Sequence, residues 1–464
     1  MADLPEALEY APADEPTSTR AQRVAWMLYD WANSGYGLIW GVIFPEVFVK
    51  IMLPEQPTWP RREMKGEMEI VTGLNVFGGQ MPGSSVFALI VSAVAFCTVL
   101  CAPVLGAVAD GRGWQKRMFV GFATVGSLIA MAAVFLPVGQ GVAWPIAMVL
   151  HFASFLCFGL SITFYNAYLP LLAPESRQGR LGGWGFAIGY VGGAVALIIG
   201  GLVFPKLLTS LDSARVLNFA LALGGLWWIV FSLPAFFLLP SVPPSHSTDQ
   251  AALHNQGLLG PFKKVLSTLK HLRQYRMLFL FLLAFLIYIN GVESVINLSS
   301  VFGVDVLGMN TTELTTMFLI VQFVAFAGAA ICGYIADKVG NKPVIMVTLA
   351  VWCVGVGLTW WVKTPGQFTM LGILIGLVLG GVQSSSRTLM SVLSPKEIRN
   401  EAFGFYAIGS KAVSIFGPLL FAGVGMVAGP RASVLAVLPF LSIGLLLLIP
   451  VKEREALRAG FEVG

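Results

Sequence analysis

Acidic, basic and amide side chains interrupt the long apolar runs of this 464-residue sequence. Residues 28–44 read LYDWANSGYGLIWGVIF, and this stretch contains a carboxylate at Asp30 and an amide at Asn33. A charge at the centre of a membrane-spanning helix costs about 2.5–3.5 kcal/mol. Such groups therefore face an aqueous cavity or a partner, where they can pair with an opposite charge, carry a proton or bind a polar solute.

One set of these residues lies near the midpoints of the apolar runs. Glu293 has Asn290 and Asn297 at positions i−3 and i+4, so the three share a helical face. Lys411 carries the opposite charge, and a zwitterionic amino acid offers an ammonium to the first and a carboxylate to the second. The alternative is that Glu293 and Lys411 pair only with each other. We predict substrate contacts at Tyr36, Trp40, Tyr190, Asn290, Glu293, Gln322, Gln383 and Lys411.

A second set lies nearer one end of the runs. Asp30 is near the inner end of the first run, and Arg387 is about 10 Å inside the midpoint of the tenth. An ion pair between them would close the inner mouth of a cavity; the alternative is that Asp30 caps its helix or meets headgroups and water. We predict gating or coupling roles for Asp30, Asn33, Glu46, Tyr165, Asn166 and Arg387, and candidate proton carriers at Asp30, Glu46 and Glu293.

The elements that must position these side chains are membrane-spanning helices. Hydrophobic residues make up 56% of the chain and charged residues 11%, with a mean hydropathy of +0.78, which is far too apolar for a soluble domain. Backbone polar groups in lipid must be satisfied within the segment. We predict an all-α membrane protein with twelve transmembrane helices, near residues 24–53, 84–109, 117–137, 142–170, 179–204, 214–240, 277–303, 311–337, 342–362, 366–394, 400–427 and 430–451.

A repeat divides the twelve helices into two pseudo-symmetric bundles of six. GAVADGRG begins at Gly106 and GYIADKVG at Gly333; both read Gly-x-x-x-Asp-x-x-Gly. We predict a cytoplasmic tail (1–23), an N-terminal bundle (24–240), a cytoplasmic linker with an amphipathic helix (241–276), a C-terminal bundle (277–451) and a second tail (452–464). Of the 29 Lys and Arg residues, 19 fall in segments on the side of the termini, so the positive-inside rule places both termini in the cytoplasm.

The sequence resembles the major facilitator superfamily, in the branch that contains the autophagy-related vacuolar amino-acid effluxer of fungi and its bacterial relatives. The resemblance rests on the repeated loop and on YDWANSGY, FYNAYLPLLA, GWGFAIGYVGG, GGVQSSSRTLMSVLSP and FGFYAIGSKAVSIFGPLLF. It implies that the first loop, through Gly106, Asp110 and Arg112, locks the bundles together on the cytoplasmic side. Asp337 and Lys338 form a weaker second copy, because the second loop lacks the full basic run.

The function implied is secondary transport by alternating access. We predict a monomer of the bacterial inner membrane, in contact with membrane lipid, that exports a small polar solute, most simply amino acids, with protons as a possible coupling ion. Alternatives are a carrier of sugars, organic anions or drugs, or a lysolipid flippase of the same fold. No phosphate-cradling loop, metal-ligand cluster or acid–base set is present in the sequence, so we predict no enzyme, no cofactor, no metal site and no nucleic-acid partner.

Overall fold

The structure is a computed structural model of the chain. It describes residues 18–44, 63–64, 67–68, 73–76, 79–136, 144–243, 275–307, 309, 311–395, 398–399, 402–406, 424 and 430–453. Glu46, Lys411, the amphipathic linker helix and most of both tails lie outside these residues. We call residues 18–243 the first half and residues 275–453 the second half.

Long helices follow the predicted apolar runs closely, because each run satisfies its own backbone hydrogen bonds. In chain order they are α1 (Arg20–Leu38), α2 (Gly83–Arg112), α3 (Gln115–Met131), α4 (Trp144–Asn166), α5 (Glu175–Ile198), α6 (Ser213–Leu238), α7 (Arg276–Leu307), α8 (Thr311–Val339), α9 (Asn341–Leu358), α10 (Pro365–Leu393), α11 (Pro430–Leu435) and α12 (Leu438–Leu448). Short π-helical turns at Ile39–Ile43 and Ile199–Val203 extend α1 and α5.

Nine helices in the described part of the chain are long and apolar enough to cross a membrane. They correspond to α2–α10. The first helix is less apolar because Asp30 and Asn33 lie within it, and α12 is only 11 residues long. Of the predicted eleventh run, the structure describes a helical piece at residues 402–406. The all-α membrane fold is therefore confirmed, while the count of twelve spans stays a prediction.

Two details differ from the sequence-based expectation. The first helix begins at Arg20 rather than at residue 24, because Thr19 and Gln22 form a reciprocal capping box there. Two short antiparallel hairpins precede α2: β1 (Glu63–Met64) pairs with β2 (Glu67–Met68), and β3 (Gly73–Val76) pairs with β4 (Gly79–Pro82). They were not predicted, because two to four residues are too few to show a strand period.

The two Gly-x-x-x-Asp-x-x-Gly loops share one backbone feature, a positive φ at their last glycine. Their last glycines, Gly113 and Gly340, have φ values of 65° and 96°, the left-handed region that disfavours other residues. Each glycine lets the chain turn sharply from one long helix into the next, from α2 to α3 and from α8 to α9. We call the end of the bundle that carries both loops the loop-motif end; α1 and α5 begin there, and α10 ends there.

Buried apolar side chains form two separate cores. One is drawn from residues 26–239 and the other from residues 278–451, with Ala167 at the end of α4 as the single first-half member of the second core among the described residues. Within the first half, α5 and α6 pack on α1; within the second, α10 packs on α8 and α12 on α7. Between the halves, α5 packs along α8 and touches α10.

The seam between α5 and α8 depends on glycine. A Cβ at Gly183 would lie 2.8 Å from Gly333 Cα, and a Cβ at Gly333 would lie 2.6 Å from the Gly179 carbonyl oxygen. The backbones therefore approach as closely as helices can. Gly333 opens the second loop motif, so that motif contributes to the contact between the halves through its glycine as well as its carboxylate.

Candidate functional site

Arg387 on α10 reaches from the second half into the first and makes a two-pronged ion pair there. Its Nη1 donates to Asp30 Oδ1 at 3.2 Å and its Nη2 donates to Asp30 Oδ2 at 3.0 Å. Nη2 also donates to the Gly182 carbonyl at 3.0 Å, and Nη1 to Asn166 Oδ1 at 3.5 Å. This fork-to-carboxylate geometry is the strongest common form of charge-assisted hydrogen bond.

Aromatic rings surround the guanidinium. Arg387 Cζ lies 4.6 Å from the centroid of Trp26, 4.1 Å from that of Phe186 and 5.8 Å from that of Tyr165. Trp26 and Tyr165 stack on each other and exchange hydrogen bonds with each other's carbonyls. Because the rings exclude water, the side chains of Arg387 and Asp30 are only 3% and 11% exposed. The first half thus forms a socket for a cation supplied by the second half.

A glycine on α5 makes room for this socket. A Cβ at Gly185 would overlap Asp30 Oδ2 and lie 2.9 Å from Arg387 Nη2 and from Trp26 Cζ3. Any side chain at this position would displace the ion pair. Glycine at this position therefore serves two purposes, close packing of α5 on its neighbours and access of Arg387 to Asp30.

A second set of polar contacts crosses the halves nearer mid-depth. The Tyr190 hydroxyl of α5 donates to Gln383 Oε1 of α10 at 2.7 Å. Gln383 Nε2 in turn donates to Glu293 Oε1 of α7 at 3.3 Å. All three side chains are half-buried, and Gln383 precedes Arg387 by one helical turn. We call Tyr190, Gln383 and Glu293 the central polar chain.

Three other predicted site residues do not join the central polar chain. Asn290 is buried one turn before Glu293; its Nδ2 donates to the Leu286 carbonyl, while its Oδ1 has no hydrogen-bond partner. Gln322 on α8 is half-buried. In the first half, Asn33 is buried and its Oδ1 also lacks a hydrogen-bond partner. Buried oxygens of this kind are uncommon and mark positions where a ligand or water can bind.

Tyr36 and Trp40 do not join the central polar chain. Both are fully buried inside the first half. The Tyr36 hydroxyl is 2.6 Å from Ser154 Oγ, and Trp40 Nε1 donates to the Leu221 carbonyl at 2.9 Å. Their polar atoms are satisfied by neighbouring helices, so neither residue enters the site proposed below, and the substrate contacts predicted for them stay a prediction.

At the second loop motif, Asp337 holds the halves together near the surface. It accepts hydrogen bonds from the backbone N–H of Arg180 at 2.9 Å and from Arg180 Nε at 3.2 Å. Arg180, on α5 of the other half, thus supplies a basic partner for the carboxylate of the second loop. At the first motif, Gly106 and Asp110 are buried and Arg112 stacks over Trp114 at 4.8 Å.

Sequence reasoning missed the residues that contact the predicted charged groups from other helices. Trp26 and Phe186 form the socket walls, Gly182 supplies a carbonyl and Arg180 supplies the cation for Asp337. Only Trp26 carried a local signal, since it lies four residues before Asp30 on the same helical face. Phe186 and Arg180 could not be distinguished from ordinary residues of an apolar helix and of a basic loop.

Two half-bundles of apolar helices that meet at a close-packed seam, with charges buried between them, are the architecture of the major facilitator fold, which is a membrane-protein fold. The solved structures agree. This fold superposes on the human organic anion transporter MFSD10 with a TM-score of 0.68, covering 92% of this chain and 99% of that chain at 14% identity. The transporter FucP in its outward conformation gives a TM-score of 0.64, covering 92% and 99% at 11% identity.

The chain belongs to the family described as "Vacuole effluxer Atg22 like", whose profile matches residues 18–459. It is similar to the uncharacterized MFS-type transporter YxiO of Bacillus subtilis, with 29% identity over 94% of this chain and 96% of that protein. Autophagy-related protein 22-1 of Penicillium rubens is 26% identical over 76% of this chain and 74% of the fungal protein. The resemblance inferred from the sequence is therefore confirmed.

Proposed function

We propose that this transporter exports amino acids by alternating access, with the solute bound at the central polar chain. The observation that carries the proposal is the placement of Glu293, whose carboxylate is tied through Gln383 to Tyr190 in the opposite half. A solute that replaces Gln383 between Glu293 and Tyr190 would bind to both halves at once. An ammonium group suits that carboxylate, since it donates three charge-assisted hydrogen bonds.

The residue that binds the carboxylate of the solute is proposed from the sequence alone. A zwitterion needs a cation for its carboxylate, and Lys411 of the eleventh run is the proposed partner. The unpartnered oxygen of Asn290 lies one helical turn from Glu293 and offers a further acceptor for the ammonium. Together these groups favour an amino acid over a sugar, which offers no charge to either of them.

Asp30 and Arg387 are proposed to act as a gate rather than as a binding site. Their contact, the Arg180–Asp337 pair and the glycine seam all lie at or near the loop-motif end. Arg387 is six residues from the end of α10, or about 9 Å. The halves therefore touch on this side of the central polar chain. Opening would withdraw Arg387 from its socket and hydrate both charges.

Membrane orientation and energy source complete the proposal. We propose that the chain lies in a bacterial inner membrane with the loop-motif end and both termini in the cytoplasm, because the positive-inside rule favours that orientation. An ion gradient or the solute gradient drives transport, and Asp30 and Glu293 are the described carboxylates proposed to carry a proton.

A counterflow screen in proteoliposomes tests the substrate class. Labelled amino acids, sugars, organic acids and lysolipids are offered at two pH values, and the proposal predicts exchange of amino acids. Exchange of a sugar, an organic anion or a lysolipid, with none of any amino acid, would contradict it. A pH-independent exchange rate would argue against proton coupling while leaving the substrate class intact.

Glu293→Gln sharpens the test. The carboxylate that pairs with the ammonium is lost while the size of the side chain is kept, so we expect the half-saturating amino-acid concentration to rise at least tenfold, about 1.4 kcal/mol. The matched control is Glu313→Gln in the exposed first turn of α8, which should transport normally. Equal transport by both variants would remove Glu293 from the site.

A further inference from the structure

A pocket at the loop-motif end lies apart from the Asp30–Arg387 gate and from the central polar chain, and it shares Arg180 with the Arg180–Asp337 pair. It has a volume of about 380 Å³ and is walled by the first turns of α1 and α5 and by residues 172–174. Four of its lining residues are arginines: Arg20, Arg23, Arg177 and Arg180. Among the described residues that line it, none is acidic.

The arginines are only partly neutralised. Arg180 pairs with Asp337, and Arg23 donates to the Ser18 carbonyl at 2.8 Å and to Ser18 Oγ at 3.0 Å. Arg20 and Arg177 are exposed, and among the carboxylates whose side chains the structure describes, none lies within ion-pair distance of either. The first residue of α5 is Glu175, so the four arginines, and not the N-terminus of that helix, give the pocket its positive character. The pocket therefore selects an anion.

The remaining walls are apolar and open outward. Val24 and Trp184 line the pocket and are 39% and 43% exposed, and Met27 and Leu181 lie deeper. In a membrane protein, arginines in the first turns of two helices lie at the level of the lipid headgroups, with apolar residues toward the acyl chains. A ligand that fits must have an anionic head and an apolar body. A free phosphate satisfies only the first requirement.

We propose that this pocket binds the headgroup of an anionic phospholipid, with its phosphate between the arginines and its acyl chains along Val24 and Trp184. The volume lies near the lower end of the range for small-molecule sites, which suits a headgroup whose chains stay in the membrane. Basic pockets between helices on the cytoplasmic side are typical sites for such lipids. The site does not depend on which solute is transported.

Lipid binding to the purified full-length chain tests the proposal. The detergent-solubilised protein is titrated with dioleoyl phosphatidylglycerol, and the bound lipid is counted by native mass spectrometry; phosphatidylcholine and inorganic phosphate are the comparison ligands. We expect one phosphatidylglycerol to bind preferentially. The Arg20→Gln/Arg177→Gln variant should bind it about 25-fold more weakly, since each basic residue near an anionic lipid contributes about fivefold.

The matched control removes two exposed lysines elsewhere, Lys206→Gln/Lys363→Gln, and should bind phosphatidylglycerol as the unmodified chain does. Equal weakening in both variants, or none in the arginine variant, would overturn the proposal. So would inorganic phosphate that competes with the lipid at equal concentration.

Discussion

Among the residues that the structure describes, two ion pairs join the halves of this transporter, and they differ in geometry and in burial. Asp30–Arg387 is bidentate, enclosed by aromatic rings and almost completely buried. Arg180–Asp337 lies at the loop-motif end, with the Arg180 side chain 50% exposed and that of Asp337 4% exposed. Their carboxylates come from opposite halves, so each half supplies one anion and one cation to the interface.

The two pairs differ in the free energy that is lost when one partner is removed or withdrawn. An exposed pair typically contributes about 0–1 kcal/mol, because water solvates the charges equally well when they separate. Loss of one partner from a buried pair costs about 3–5 kcal/mol, because the remaining charge is left without water or a counter-ion. Opening at the loop-motif end therefore requires water to reach Arg387 and Asp30, whereas Arg180 is already hydrated.

Asp30→Asn is expected to have the largest effect. The variant leaves the Arg387 guanidinium buried without a counter-charge, so the contact between the halves should weaken by about 3–5 kcal/mol. The melting temperature of the purified protein should fall, and thiol reagents should gain access to the socket from the cytoplasm.

A double variant separates charge from shape. Arg387→Met removes the orphaned charge, so Asp30→Asn/Arg387→Met should be more stable than Asp30→Asn alone. Additive losses in the double-mutant cycle would mean that the two side chains act independently, against the geometry seen here.

Gly185→Ala should have an intermediate effect without altering any charge. Its added methyl group overlaps Asp30 Oδ2, so the ion pair must shift, at a cost of about 1–3 kcal/mol. Gly121→Ala is the matched control, because a Cβ there meets nothing within 4 Å. The melting temperatures of the two variants should differ; equal values would mean that α1 and α5 are less tightly packed than the structure shows.

Asp337→Asn should have the smallest effect of the three. Its partner Arg180 is half-exposed, and the Asn side chain can still accept the backbone hydrogen bond from Arg180, so we expect a loss of about 1 kcal/mol or less. Raising the salt concentration should reduce the difference from the unmodified chain further. A loss as large as that of Asp30→Asn would reverse the ranking of the two pairs.

Sequence reasoning anticipated the helices and several polar positions, for a common physical reason. A charged group in an apolar run must have a partner, so depth alone was enough to select Asp30, Arg387, Glu293 and Gln383. Depth does not reveal which side of a helix faces the cavity. Tyr36 and Trp40 illustrate this, because an amphipathic ring can satisfy its polar atom inside the bundle as well as at a binding site.

The residues that contact these groups from the opposite half could not be predicted from the sequence, for a different reason. The loop that contains Asp337 was predicted to be the weaker copy, because no full basic run lies beside it. Arg180 nevertheless donates to Asp337 from 157 positions away in the chain. Phe186 and Gly185 gain their roles only when α10 docks against α5. Without paired positions from related sequences, such long-range contacts carry no local pattern.

Accessibility of Thr388 to a thiol reagent tests most directly the claim that the Asp30–Arg387 contact opens and closes. Thr388 follows Arg387, is fully buried and contacts α5 through the Gln178 carbonyl at 3.4 Å. In a Thr388→Cys protein whose five native cysteines are replaced, a membrane-impermeant maleimide applied from the cytoplasmic side should react slowly at rest, faster during solute exchange, and fast at all times when Asp30→Asn is added. Equal labelling rates under all three conditions would contradict the account.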